Sequence, residues 1–133
     1  MTLTGECLCG GIKYRIAGRV FAARSCHCSR CRKAFGGAAS AFASVDPAHF
    51  QWVEGEALLT VYESKQGAGK QFCRVCGSML TGTYKGEVMG VALGCLNEDP
   101  GVDIEAHIFV GSKANWDVVP EEVPQYETYP EEE

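Results

Sequence analysis

Cys26-His27-Cys28-Ser29-Arg30-Cys31 sets three cysteines within six residues, at gaps of one and two. That spacing can turn three thiolates toward one point. Two further pairs stand apart: Cys7 and Cys9 near the start, and Cys73 and Cys76 past the middle. Both pairs end in glycine, as Cys9-Gly10-Gly11 and Cys76-Gly77, whereas the triplet runs into Arg32-Lys33-Ala34-Phe35. A glycine after a chelating turn can take positive φ, so its N–H is expected to point back at a thiolate without a Cβ clash. Two such knuckles, each giving two sulfurs, make one closed tetrahedral zinc site. The triplet gives three sulfurs and leaves one position to be filled. Closed four-ligand sites are structural, while three protein ligands plus an exchangeable fourth is the catalytic arrangement.

The rest of the composition bounds this reading. The 133 residues and 14.3 kDa predict a single domain, 1–133, able to bury roughly two-thirds of its unfolded surface. Sixteen glycines and five prolines point to short strands joined by tight turns. Met1-Thr2-Leu3-Thr4-Gly5-Glu6 has neither a basic region nor an apolar run, so no signal peptide is visible. The longest nearly apolar run, residues 88–96, is too short to cross a bilayer. A reducing, cytoplasmic location is therefore expected, where eight cysteines read better as metal ligands than as disulfides. In an exported protein four disulfides would be the rival, and the sequence could not choose among their pairings.

Charge is uneven along the chain. The net charge is −5, yet residues 7–45 hold no Asp or Glu and seven basic residues: Lys13, Arg15, Arg19, Arg24, Arg30, Arg32 and Lys33. Residues 98–133 hold eleven acids and one base, Lys113. An anionic small molecule would be drawn to the region around the triplet. Nucleic acid is not an expected partner, because the basic stretch is short and the total charge has the wrong sign.

In chain order, strands are expected at 3–6, at 12–16 with alternating apolar and basic residues, and at 20–25 leading to the triplet. Ser29 to Phe35 reads as one or two helical turns closed by Gly36-Gly37. Further strands are expected at 38–45, 51–53, 58–63, 88–93 and 104–110, with Lys70 to Phe72 leading into the second knuckle and Ser78 to Tyr84 leaving it. Gly67-Ala68-Gly69 reads as a loop, and Lys85-Gly86-Glu87 as a hairpin turn. From about residue 120 the tail is acidic and proline-punctuated, and either lies along the surface or is mobile. The fold class is mainly β.

The paired knuckles predict that Cys7 and Cys9 clamp the N-terminal strand onto the Cys73–Cys76 hairpin. The triplet stays open between two readings: an open site, or a second closed zinc with its fourth ligand from elsewhere. Cys95 is the cysteine left over, in Val91-Ala92-Leu93-Gly94-Cys95-Leu96, where a buried inert thiol is the usual finding. His27 should point away from its neighbours in so tight a turn. His49 and His107 read as satisfied structural histidines.

Cys7-x-Cys9-Gly10, Cys26-His27-Cys28-x-x-Cys31-Arg32-Lys33 with Gly36, Phe72-Cys73-x-x-Cys76-Gly77-Ser78 and Ser112-Lys113-Ala114-x-Trp116 together resemble the glutathione-dependent formaldehyde-activating enzyme family. The resemblance covers nearly the whole chain. It implies a single-domain β-tent of stacked antiparallel sheets with zinc knuckles and one short helical segment. It also implies two zincs, a structural one on Cys7, Cys9, Cys73 and Cys76 and a catalytic one on Cys26, Cys28 and Cys31. The implied activity is that of a carbon–sulfur lyase joining formaldehyde to glutathione, which gives S-(hydroxymethyl)glutathione. Arg24, Arg30 and Arg32 would then attract glutathione's carboxylates. The implied partner is a small thiol or thiol adduct, met by a monomer or homodimer, with no nucleic acid and no membrane. One departure is Gly94-Cys95-Leu96-Asn97, where many members read Gly-x-Leu-Asp. The competing class is a non-enzymatic zinc-binding module for protein interaction or metal handling on the same scaffold.

Overall fold

A computed structural model describes residues 1–130. Among them the strands run β1 Leu3–Glu6, β2 Lys13–Ile16, β3 Val20–Cys26, β4 Ser40–Val45, β5 Phe50–Glu54, β6 Leu59–Glu63, β7 Ala68–Cys73, β8 Met79–Tyr84, β9 Glu87–Ala92 and β10 Ala106–Ile108. The α-helix, α1, is Ser29–Phe35, and four 3-10 turns complete the list among the described residues. The fold is mainly β, as the glycine-rich, alternating sequence requires. No helix among the described residues is long and apolar enough to cross a membrane.

The chain forms two compact units, one from Met1–Phe21 with Ala43–Val102, the other from Ala22–Phe42 with the chain from Asp103 onward. In the first unit β1, β2 and β5 make an antiparallel sheet in that order. Leu3, Tyr14 and Ile16 occupy alternate, inward positions on two of its strands and are at most 1% exposed, the period-two pattern of a half-buried sheet. Tyr14 lies opposite Gly5, and a Cβ there would run into its ring. Phe50 and Trp52 pack against the same ring, with centroids 5.0 and 5.9 Å away. A second antiparallel group follows the order β9-β8-β7-β6. Lys85 and Gly86 both take positive φ, 51° and 85°, the type I′ geometry that matches strand twist in a two-residue hairpin. Ala68 and Gly69, expected in a loop, belong to β7, because the β6 and β8 ladders continue through them.

In the second unit β10 pairs with β3 in parallel, with Ala106 opposite Arg24 and Ile108 opposite Cys26. The ladders of the first unit described above are antiparallel. In this pair the chain leaves β3 and returns only at Ala106, and so long a crossover lets it come back in the same direction. The strand expected at 104–110 is shorter than its apolar pattern. The tail from residue 120 lies along β10: His107 N–H donates to Pro124 O at 2.8 Å, and Tyr126 N–H donates to His107 O at 2.9 Å. Tyr129 packs edge-on against Phe109. Residues 131–133 of the acidic tail lie outside the described residues.

Candidate metal centres

In the first unit the ends of β1 and β7 each run into a tight turn, and the two turns carry Cys7, Cys9, Cys73 and Cys76. Their four sulfurs all lie within 4.8 Å of one another. Cys9 Sγ is 3.6 Å from Cys7 Sγ and 3.9 Å from Cys73 Sγ. A tetrahedron built on zinc–sulfur bonds of about 2.3 Å has sulfur–sulfur edges of about 3.8 Å. The spacing suits a metal and exceeds a disulfide bond, and no disulfide joins the eight cysteines.

Gly10 and Gly77 take positive φ, 75° and 78°. Their N–H groups donate to Cys7 O and Cys73 O rather than to sulfur. The sulfurs draw on neighbouring donors instead: Ile12 N–H on Cys7 at 3.3 Å and Val75 N–H on Cys73 at 3.4 Å. The glycines thus close the turns, and the turns aim other amides at the thiolates. Ser78 donates from its hydroxyl and its N–H to Cys76, holding that thiol down at about 5. Cys9 is pulled the other way: the Gly11 N–H favours its thiolate, but the Cys7 sulfur and its other sulfur neighbours push it up to about 11. Four sulfurs this close cannot all ionise without a cation between them. Soft thiolates in a tetrahedral set of four suit zinc or an iron–sulfur centre, so the donor chemistry fits the expected ion.

In the second unit β3 delivers Cys26, and Cys28 caps α1. The Cys28 backbone is extended, with φ −66° and ψ 157°, and its sulfur accepts the Cys31 N–H at 3.4 Å. A cap residue bonds the amide three positions on, which is why a Cys-x-x-Cys pair at a helix start brings both sulfurs to one end. Gly36, in the left-handed region at φ 65°, stops the helix with its N–H on Arg32 O. Cys26, Cys28 and Cys31 form a group of three, mutually within 4.8 Å and each half-buried. Among the described residues this group has no fourth His, Cys, Asp or Glu. The Cys31 sulfur, then burial, pushes the Cys26 thiol far up, against the Cys28 N–H that favours its ionised form. This set too is one that a cation would relieve.

The remaining candidates separate. Cys95 sits in the first unit, where its thiol donates to Met79 O at 3.4 Å and burial raises it. Arg24 lies two residues before Cys26, and Arg32 follows Cys31. In each the guanidinium Nε is buried without a hydrogen-bond partner among the described residues, while Arg30 is exposed. His49 is at the surface, 3.9 Å from Asp46. His27 turns away from the sulfurs, as so tight a turn demands, and meets His107 at 2.9 Å. Eighty residues separate those two histidines, and no spacing in the sequence links them.

A sequence model of the glutathione-dependent formaldehyde-activating enzyme family matches residues 2–112. The crystal structure of a Rhodobacter sphaeroides protein is similar at 30% identity with a TM-score of 0.55, covering 75% of this chain and 90% of that one. Among curated proteins there is no match. The family match takes in all seven clustered cysteines, and the chain belongs to the glutathione-dependent formaldehyde-activating enzyme family.

Proposed function

We propose that the chain is a zinc-dependent carbon–sulfur lyase of the S-(hydroxymethyl)glutathione synthase type. It binds a small thiol, glutathione or a relative, and joins it to or releases it from an aldehyde-like electrophile. The observation that carries this reading is the group of three half-buried sulfurs with no fourth protein ligand among the described residues, beside a complete set of four elsewhere. Zinc held there supplies a Lewis-acidic centre at which a thiol ionises near neutral pH.

The chain's own residues do the rest. Cys26, Cys28 and Cys31 would hold the ion, with the Cys31 N–H on the Cys28 sulfur and the Cys28 N–H on the Cys26 sulfur. Arg24 and Arg32 each offer a buried Nε–H that lacks an acceptor among the described residues. A carboxylate of the bound thiol satisfies such a donor and its charge together. Arg30, exposed at the start of α1, adds positive charge to the approach. The reaction balances without a redox partner. The thiol gives up its proton, its sulfur bonds to the carbonyl carbon, and the carbonyl π pair moves to oxygen, which takes a proton.

Metal analysis combined with a panel of thiols and aldehydes tests this. The expected result is two zincs per chain and thiol-dependent consumption of a small aldehyde. One zinc per chain with no turnover would favour the non-enzymatic zinc module instead.

A further inference from the structure

Behind the three-sulfur turn lies a buried polar pair that the chemistry above does not use. His27 stands between Cys26 and Cys28 but is only 2% exposed. Its Nε2 is 2.9 Å from His107 Nδ1, and the rings lie 5.2 Å apart. Its Nδ1 is buried and has no hydrogen-bond partner among the described residues, with Asp117 Oδ2 3.8 Å away. His107 sits opposite Ser25 in the β3–β10 pair, and its N–H and C=O are both taken by the returning tail. The His27 N–H donates to Ile108 O at 2.9 Å. The imidazole pair therefore adds a side-chain tie where a backbone tie already exists.

In an extended segment, residues i and i+2 share a face and i+1 takes the other. Cys26 ends β3 and Cys28 keeps extended backbone, so the two sulfurs face one way and His27 the opposite way. A slip of one position would exchange the faces of all three. Whatever pins the middle side chain pins the sulfurs on either side of it.

We propose that His107 is a positioning residue for the three-cysteine site: through His27 it fixes the face on which Cys26 and Cys28 converge. Asp117, on the far side of His27, favours the tautomer with its proton on Nδ1, which leaves Nε2 to accept from His107. This rests on reading the three cysteines as a metal site. Partners that orient metal ligands through hydrogen bonds typically change metal affinity by about 10–100-fold when removed.

The test loads the wild type, His107→Phe and His107→Asn with cobalt(II) under chelator competition and follows the distinct spectra of four-sulfur and three-sulfur sites. His107→Phe keeps a ring but loses the donor, and is expected to weaken the three-sulfur site by about 10–100-fold while sparing the four-sulfur site. His107→Asn sets an amide atom where Nδ1 stands and should recover most of the loss. Unchanged affinity in His107→Phe, or equal loss in both variants, overturns the positioning role. Should His107→Phe fail to fold, the wild type decides: a coupling across the hydrogen bond between the two ring nitrogens is expected in 15N-labelled protein, and its absence overturns the role. A wild type that loads only the four-sulfur site removes the metal reading itself, and this inference with it.

Discussion

The two sulfur groups differ less in chemistry than in where their members come from. The group of four draws on residues more than sixty positions apart and buries Cys7 and Cys73 to 2% and 0% exposure. The group of three comes from one six-residue stretch and is half-buried throughout. An ion in the first set closes a long loop and holds two strand ends together. In the second it closes a turn that already has its own hydrogen bonds. On the proposed reading, distance along the chain separates an ion that would support the fold from one that would be left available for chemistry.

Several substitutions would break or sharpen that contrast. The largest effect is expected for Cys73→Ser. Structural zinc contributes about 10–16 kcal/mol in isolated domains against a whole-domain stability of about 5–15 kcal/mol, so the variant should lose its cooperative melt. A soluble, cooperatively melting Cys73→Ser protein without metal would erase the distinction from one side. Cys28→Ser should do the reverse, keeping the circular-dichroism spectrum and most of the melting temperature while losing one zinc and all turnover. Loss of fold and activity together would erase it from the other side.

Arg24→Ala and Arg32→Ala should each raise KM for an anionic thiol by about 10–100-fold, the scale of a charge-assisted hydrogen bond, with both zincs retained. An unchanged KM for both would leave these two Nε–H groups without a role in binding. Gly5→Ala is expected to act on the first unit alone. Its Cβ would collide with Tyr14, an overpacking cost of about 1–3 kcal/mol, read as a lower melting temperature with unaltered three-sulfur metal affinity.

The smallest effect belongs to Glu98. It accepts the Thr4 N–H at 2.6 Å and the Thr4 hydroxyl at 2.8 Å, which hold its carboxyl below the ordinary 4.5. A carboxyl depressed by folding stabilises above its unfolded value, and that contribution is lost as pH falls through the folded value. Glu98→Gln should melt slightly earlier at pH 7, and the difference should shrink as pH falls below the ordinary carboxyl value and disappear once it has passed through the lowered folded one. A gap that widened in acid would reverse the assignment.

Much of this was legible in the sequence because it is written locally. Alternation placed β2, turn chemistry placed the Lys85-Gly86 hairpin, and cysteine spacing sorted seven sulfurs into their groups. Ser29 to Phe35 reads as helical because Gly36-Gly37 close it, and the structure adds Cys28 as its cap. What escaped depends on long-range return of the chain. Nothing between residues 27 and 105 announces that β10 will lie parallel to β3, or that His107 will meet His27. The knuckle glycines were read for the right φ but the wrong acceptor, since whether an amide reaches carbonyl or sulfur is settled by the turn as a whole.

The parallel pairing of β10 with β3 also has a consequence for biosynthesis. A ribosome delivers the two ends of the four-sulfur set once Cys76 has emerged, yet the backing for Cys26 and Cys28 arrives only with His107. At synthesis rates of about 5–20 residues per second, those thirty-odd positions impose a delay of roughly 2–6 s. The nascent chain can gather its four-sulfur group before the three-sulfur group has His107 behind it, which sets an order of assembly from the first group to the second.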